Sequence, residues 1–533
     1  VSWTNRLLAV GSMRGALGTY LPATVLQKII IFARVLVFWH LLGETQYGLW
    51  GVGVMIFGFA APLMTLGANM GIVRYVSHFE ARGRLKALFV RVLIGVPAIG
   101  IVTTAAAMLA SEPITRTFIV SREATSGLEF SQLHLLCVAA LANALLLGLY
   151  HNMLGFMLGL RAYRLVSVTE LAFAMFFLAA GAGMAAALGS GLGLLLAHAA
   201  ALAACLAGGV GLLWLAVRRI SAAGPPEPLR EAAASEAFTP ATGDDQLDVR
   251  MGSSEPRGAA RHVLPFALIS LVAYLVDSGA RYVSYFMTHQ AYGPDVSGKY
   301  QGFLKLSQPM MLIASASWAV IFSFVARRWE AGRREKALET LETAFKAVAM
   351  VTMTMTVVVL VSRPLWVYVA PSAARGMADV VGGQLLLYQS LTSLALMAMI
   401  AKLRERPAVI ALVGLAALAL NVLLARWWMG LAGPVGASWA GGVGMYVGGG
   451  AVAAAYMLAT RTRVQFSTWA IMASPGLLLL EVGLPAWTVL VVWAGVCAAA
   501  AWTNLLFTHA QKRQIVGGIK SVRDRARQVF GWA

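Results

Sequence analysis

An all-α polytopic membrane protein is the fold class that the sequence predicts, with about 14 transmembrane helices in two pseudo-symmetric six-helix lobes plus two C-terminal helices. Three observations carry that expectation. Of the 533 residues, 59% are hydrophobic and 12% are charged, and the mean hydropathy is +0.74; so little charge cannot cover soluble domains. The apolar residues come in runs long enough to cross about 30 Å of hydrocarbon. Lys and Arg give the chain a net charge of +19, but they cluster between alternate runs. The charge therefore reports topology and not a nucleic-acid partner.

The first half supplies spans over 22–42, 47–73, 87–110, 132–158, 165–188 and 192–217. The second half repeats the scheme over 263–288, 300–325, 345–370, 377–401, 408–428 and 434–458. A further pair follows over 469–483 and 486–507, the former short and interrupted by Pro475. The domain plan is an N-lobe (1–217), a flexible linker (218–262), a C-lobe (263–458), two extra spans (459–507) and a basic tail (508–533). The linker is rich in Ala, Pro, Glu and Gly and lacks apolar periodicity. In the tail Ile515, Ile519, Val522, Ala526 and Val529 recur at helical spacing among Lys520, Arg523, Arg525 and Arg527, the pattern of an amphipathic helix on a membrane surface.

Alternate loops carry Arg82, Arg84 and Lys86; Arg161 and Arg164; Arg218 and Arg219; Arg327, Arg328, Arg333, Arg334 and Lys336; Lys402, Arg404 and Arg406; and Arg461 and Arg463. By the positive-inside rule that face is cytoplasmic, which puts both termini on the cytoplasmic side of the membrane. No cleavable leader is expected, because the apolar stretch from Leu7 to Val10 is short and Arg14 interrupts it. Cys137, Cys205 and Cys497 lie in apolar runs without ligand spacing, so no metal or other cofactor is expected.

An internal repeat has an offset of 250 residues. Glu80, Ala81, Arg84, Lys86, Ala87 and Leu88 match Glu330, Ala331, Arg334, Lys336, Ala337 and Leu338, and Gly48 matches Gly298. Duplicated lobes of six spans share one orientation, the parallel-repeat plan of transporters.

Ionisable residues within spans cost roughly 2.5–3.5 kcal/mol each at a helix centre and mark pathways. Arg34 and Asp277 lie deep in the first and seventh spans, with Lys28, Arg281 and Lys305 closer to the interfaces. The repeat aligns Gln27 with Asp277, Ile31 with Arg281 and Arg34 with Ser284, positions on one helical face. Asp277 and Arg281, four residues apart, can neutralise one another. Lys28, Arg34 and Lys305 then leave a central cationic cavity suited to an anion such as phosphate. Gln27, Asn69, Asn152 and Glu170 are candidates for contacts to sugars or to a coupling cation. Asn143, His151, His198, Gln384, Gln389 and Asn421 read first as helix-to-helix hydrogen bonders.

An enzyme is not expected, and no catalytic residue is assigned. Gly293 to Lys299 spells G-x-x-x-x-G-K, but Tyr300 stands where a phosphate-binding loop needs Ser or Thr, and no strand precedes it. Asp244 and Asp245 fall in the linker without a partner histidine, and neither H-E-x-x-H nor G-x-S-x-G occurs. A membrane glycosyltransferase or polymerase would need a carboxylate cluster on an outer loop.

Leu41-Leu42-Gly43-Glu44-Thr45-Gln46-Tyr47-Gly48, then Thr65-Leu66-Gly67 and Arg74-Tyr75-Val76, resemble the motifs of the multidrug/oligosaccharidyl-lipid/polysaccharide exporter superfamily, particularly its O-antigen and exopolysaccharide flippases. Similarity to the family's second-lobe pattern covers about Arg261 to Leu338. Lys28, Arg34 and the Leu42-Gly43 pair are also similar to the first helix of lipid II flippases, although His40 stands where those relatives carry Arg. The resemblance implies that Arg34, with Lys28 beside it, contacts a lipid diphosphate, and that the last two helices form a groove for the lipid tail. It also implies alternating access driven by a Na+ or H+ gradient.

Together these readings predict a flippase that moves polyprenyl-diphosphate-linked oligosaccharide to the outer leaflet for cell-surface polysaccharide synthesis. Its partners would be the lipid-linked glycan, membrane lipids and polymerase or glycosyltransferase machinery. The alternative is a multidrug or organic-cation antiporter of the same superfamily, which should carry carboxylates in the first lobe.

Overall fold

The computed structural model describes residues 13–81, 83–120, 129–223, 256–330, 332–370, 372–513 and 516–517. Among them there is no strand. The first lobe comprises α1 (Met13–Met64), α2 (Ala68–Ala81), α3 (Leu85–Leu109), α4 (Phe130–Gly159), α5 (Tyr163–Leu188) and α6 (Gly191–Ala223). The second comprises α7 (Pro256–Leu306), α8 (Pro309–Glu330), α9 (Arg334–Val361), α10 (Val380–Leu403), α11 (Ala408–Val443) and α12 (Gly450–Ala459), the last two joined by a π-turn. Helix α13 (Phe466–Ala473) tightens into a 3-10 turn at Ser474 and Pro475, and α14 (Ala486–Trp502) follows.

Three long helices are bent pairs. Gly43 breaks α1 at φ 68°, ψ 179°, Gly293 breaks α7 at φ 76°, ψ −178°, and Gly433 breaks α11 at φ 57° ahead of Pro434. Only glycine occupies the first two conformations without strain, because a Cβ would clash with the backbone. With those joints counted, the helix order matches that of the expected spans, but the second expected span (47–73) divides at 65–67 between α1 and α2, and the eighth (300–325) at 307–308 between α7 and α8. Eight helices are long and apolar enough to cross a membrane by length and composition. Helix α7 is not among them, because Asp277, Arg281, Asp295, Lys299 and Lys305 interrupt its apolar residues. Ile94, Val102, Leu423 and Trp502 are among the large apolar side chains that face outward, as lipid requires.

Several boundaries differ from the sequence expectation. Helix α6 runs on to Ala223 and α7 starts at Pro256, so both enter the expected linker. Helical propensity carries them: Ala222 and Ala223 are good formers, and proline is preorganised for the first helical turn. The rest of the linker, with Asp244 and Asp245, lies outside the described residues, as does most of the basic tail.

The repeat is visible in the backbone. The glycine joints Gly43 and Gly293 lie 250 residues apart, and Gly48 and Gly298 meet where α1 crosses α7. A Cβ on Gly48 would collide with the Pro294 carbonyl, and one on Gly298 with the Glu44 carbonyl. Gly293 and Gly298 thus explain the chance phosphate-loop spelling, whose Lys299 forms an ion pair with Asp295 at 3.1 Å. At the basic loops the structural register is 249: Gly83 (φ 67°) and Gly332 (φ 71°) occupy equivalent turns, and α3 begins at Leu85 where α9 begins at Arg334. The six loop identities are therefore slipped by one residue.

Polar side chains tie helices within each lobe, as expected in a medium without water. Asn143 Nδ2 donates to Leu195 O at 3.0 Å and His198 Nδ1 meets Asn143 Oδ1 at 2.7 Å, while Asn421 Nδ2 donates to Ala280 O at 3.1 Å. The last helices are pinned to α9: Lys346 Nζ, fully buried, donates to Gln465 Oε1 at 2.6 Å and Ser467 Oγ at 2.7 Å, and Trp493 Nε1 donates to Thr354 Oγ1 at 3.0 Å.

Gly298→Ala should lower thermal stability by about 1–3 kcal/mol, the usual cost of overpacking. Gly495→Ala, whose Cβ would meet nothing within 4 Å, should leave the melting temperature of the detergent-solubilised protein near the parent's.

Candidate functional site

Arg34 lies nine residues before the Gly43 joint, about 14 Å along the helix at 1.5 Å per residue. Its guanidinium sits over the Phe177 ring of α5 at 4.4 Å from the centroid, a cation–π contact. It points inward: Nη1 is buried without a hydrogen-bond partner. Its electrostatic neighbours are Tyr47 on α1, His198 on α6 and, across the lobe boundary, Lys305 on α7.

An aromatic wedge fixes that cross-lobe approach. Trp39, fully buried, stacks on Tyr47 at 5.9 Å and meets Phe303 edge-on at 5.7 Å. The absence of a side chain at Gly302 makes room for its indole. The wedge packs α1 against α7, the two helices that carry Arg34 and Lys305.

Lys305 stands at the interruption between α7 and α8. Its Nζ donates to Gln308 Oε1 at 3.3 Å, and Gln308 Nε2 donates to the Tyr388 hydroxyl of α10 at 2.8 Å. Ser307 Oγ donates to Gln384 Oε1 at 3.2 Å. On the other arm of α7, before the Gly293 joint, Arg281 Nη2 pairs with Asp277 Oδ2 at 2.7 Å, with the side chains 17% and 29% exposed, so the pair stays partly reachable. Lys402, in the last turn of α10, is a second cation close to Asp277.

Lys28 has a carboxylate to face. Glu170 of α5 accepts a hydrogen bond from the Tyr20 hydroxyl at 3.2 Å and is the favourable electrostatic neighbour of Lys28. Neighbour by neighbour, the chain runs from Glu170 through Lys28, Arg34 and Lys305 to Tyr388, Arg281, Asp277 and Lys402. Five cations stand against two carboxylates.

The remaining candidates sit elsewhere. Gln27 is buried with Oε1 unpartnered. Asn69 packs its Oδ1 against Gly155 of α4, and Asn152 Nδ2 donates to Gly148 O at 2.7 Å. Asn69 and Asn152 each keep a buried Oδ1 without a hydrogen-bond partner among the described residues. His40, where lipid II flippases carry Arg, is exposed and hydrogen-bonds to Leu36 O at 2.8 Å on its own helix. Sequence reasoning missed Lys402, assigned to a basic loop, and also Tyr20, Phe177, Gln308 and Tyr388. Aromatic and amide residues in apolar runs carry no local signal of a site; Lys402 was legible only as a loop charge. Among the described residues no group of His, Cys, Asp or Glu is arranged to hold a metal.

No protein-family model and no curated protein matches the chain. Solved structures do. The chain aligns over 88% of its length with 99% of a MATE transporter crystallised in complex with MaD3S, at a TM-score of 0.60 and 15% identity. A MOP superfamily transporter from Pyrococcus furiosus, described by a reversed polarity of its binding pocket that suggests a different function, gives 0.59 at 15% identity over 88% and 99% of the two chains. An outward-facing multidrug resistance MATE family transporter gives 0.58 over the same shares, also at 15% identity. The chain shares the fold of these solved structures.

A double-mutant cycle of Asp277→Asn and Arg281→Gln should return a coupling of about 1–2 kcal/mol in thermal unfolding. Asp277→Asn alone should be the costliest arm, since it takes the carboxylate neighbour from both Arg281 and Lys402.

Proposed function

We propose that the protein is a flippase for polyprenyl-diphosphate-linked oligosaccharide, carrying the glycan from the cytoplasmic to the outer leaflet for cell-surface polysaccharide synthesis. The observation that supports this most is that Arg34 and Lys305, from opposite lobes, are electrostatic neighbours, and that neither is paired with a carboxylate among the described residues. Like charges in a low-dielectric interior repel strongly. A diphosphate bridging them turns that repulsion into binding, with Arg34 suited to bidentate contact and Lys305 acting as a point charge. Lys28 and Arg281 reach the same group by displacement from Glu170 and Asp277. The polyprenyl chain stays in lipid, alongside the exposed apolar side chains of α13 and α14, Phe466 and Trp487 among them.

In this reading the basic loops and both termini lie in the cytoplasm of a bacterial inner membrane, a Na+ or H+ gradient supplies the energy, and polymerase or glycosyltransferase machinery acts on either side of transport.

One observation favours a second reading, a multidrug or organic-cation antiporter: Glu170 is a carboxylate inside the first lobe, held by Tyr20. Flux in proteoliposomes separates the two. The parent should flip a fluorescent diphosphate-linked glycan, and Arg34→Ala and Lys305→Ala should each slow it about tenfold or more, the loss of one charge-assisted hydrogen bond. Unchanged rates in both variants, or a parent that moves a cationic dye and not the glycan, would refute the flippase.

A further inference from the structure

On the face opposite the basic loops, the first lobe reaches over the second. After α3 the chain makes a short helical turn, Ser111–Ile114, that runs into the π-turn Thr115–Ile119 and stops at Val120, which is extended. A helical turn that ends leaves its last carbonyls without partners inside the segment. Side chains of the other lobe supply them: His289 Nε2 donates to Ile119 O at 2.9 Å, and Gln290 Nε2 donates to Thr117 O at 3.2 Å and Val120 O at 3.3 Å. The Phe118 and Phe286 rings pack beside these bonds at 5.4 Å.

The chemistry of the histidine makes the contact directional. A carbonyl only accepts, so Nε2 carries the hydrogen, and Nδ1 faces Ser297 Oγ at 3.0 Å just past the Gly293 joint. Both His289 and Ser297 are fully buried. The helix terminus of one lobe is thus capped by α7 of the other, at the point where α7 turns.

Beneath this contact lies a seam that is closed yet poorly satisfied. The Tyr285 hydroxyl donates to Gly48 O at 3.0 Å. Gln301 is buried against Gly51 with both amide atoms unpartnered, and the Trp39 indole nitrogen has no partner either. Buried polar atoms without partners destabilise the arrangement that buries them, and water relieves that cost. A seam that carries three such atoms gains hydration whenever it opens.

We infer that the Ser111–Val120 segment is a clasp across the lobes, whose hold on His289 and Gln290 must release before the seam at Gly48, Gly298 and Gln301 opens to water. The inference rests on the transporter fold and on these contacts, not on the substrate, so it stands or falls separately from the flippase reading.

The test uses the full chain in lipid nanodiscs, where both faces are accessible whatever the orientation. Cys137, Cys205 and Cys497 are replaced by Ser, and Gln301→Cys serves as the reporter for a membrane-impermeant maleimide. His289→Gln and Gln290→Ala should each raise the labelling rate about fivefold or more, the consequence of removing one or two hydrogen bonds from a closed state. Unchanged labelling in both variants, at the parent's melting temperature, overturns the clasp. Should His289→Gln lower that temperature, Gln290→Ala at a half-buried position decides alone: faster labelling supports the clasp and the parent's rate refutes it.

Discussion

Everything distinctive in this molecule turns on the crossing of α1 over α7, which makes two cations of different lobes electrostatic neighbours in a medium that opposes it. Arg34 and Lys305 come from different lobes and repel one another; Arg34 lies over the Phe177 ring with Tyr47, His198 and Lys28 as further neighbours, and Lys305 donates to Gln308. Such an arrangement lowers stability in the absence of an anion, and it persists because the surrounding structure dictates it. Trp39, wedged between Tyr47, Phe303 and Gly302, permits little other geometry. The Gly48–Gly298 crossing sets the distance between the helices that carry the two cations.

The duplication explains why the crossing is possible. Each lobe contributes a bent helix pair whose joint is a glycine in a conformation closed to other residues, and five residues later a second glycine on which the partner helix rests. Two copies of one unit can thus meet backbone to backbone about a common axis. The polar complement then diverges: Arg34 corresponds to Ser284, which donates to Asn421 Oδ1 at 3.0 Å inside its own lobe. The first copy became a source of charge at this level and the second a packing surface, with its charges displaced to Asp277, Arg281 and Lys305.

Much of the fold was legible because a bilayer enforces a simple code of apolar runs and basic loops. The span order, the Pro475 interruption and the helix-to-helix roles of Asn143, His198 and Asn421 all follow from it. The loop register was not legible: identities among Glu80 to Leu88 and Glu330 to Leu338 lie on a polar surface where one residue of slip costs little, and the turn glycines Gly83 and Gly332 set the true alignment. Of the candidates, Arg34, Lys305, Asp277 and Arg281 stand out in the sequence because charge is expensive in lipid. Asn69 and Asn152 carry no sequence signal that separates a ligand contact from helix packing. Lys402 was hidden by its place at a helix end, and the Glu170 opposition to Lys28 depends on how α1 and α5 fold together, which no spacing in the sequence encodes.

The account's central claim is that the lobe boundary selects anions. Equilibrium binding of a soluble short-chain prenyl diphosphate and of an organic cation to the purified protein tests it most directly. The account predicts saturable diphosphate binding that weakens when Arg34 or Lys305 is neutralised, and no competition from the cation. Saturable cation binding that requires Glu170, with diphosphate indifferent to both Arg34 and Lys305, would contradict it.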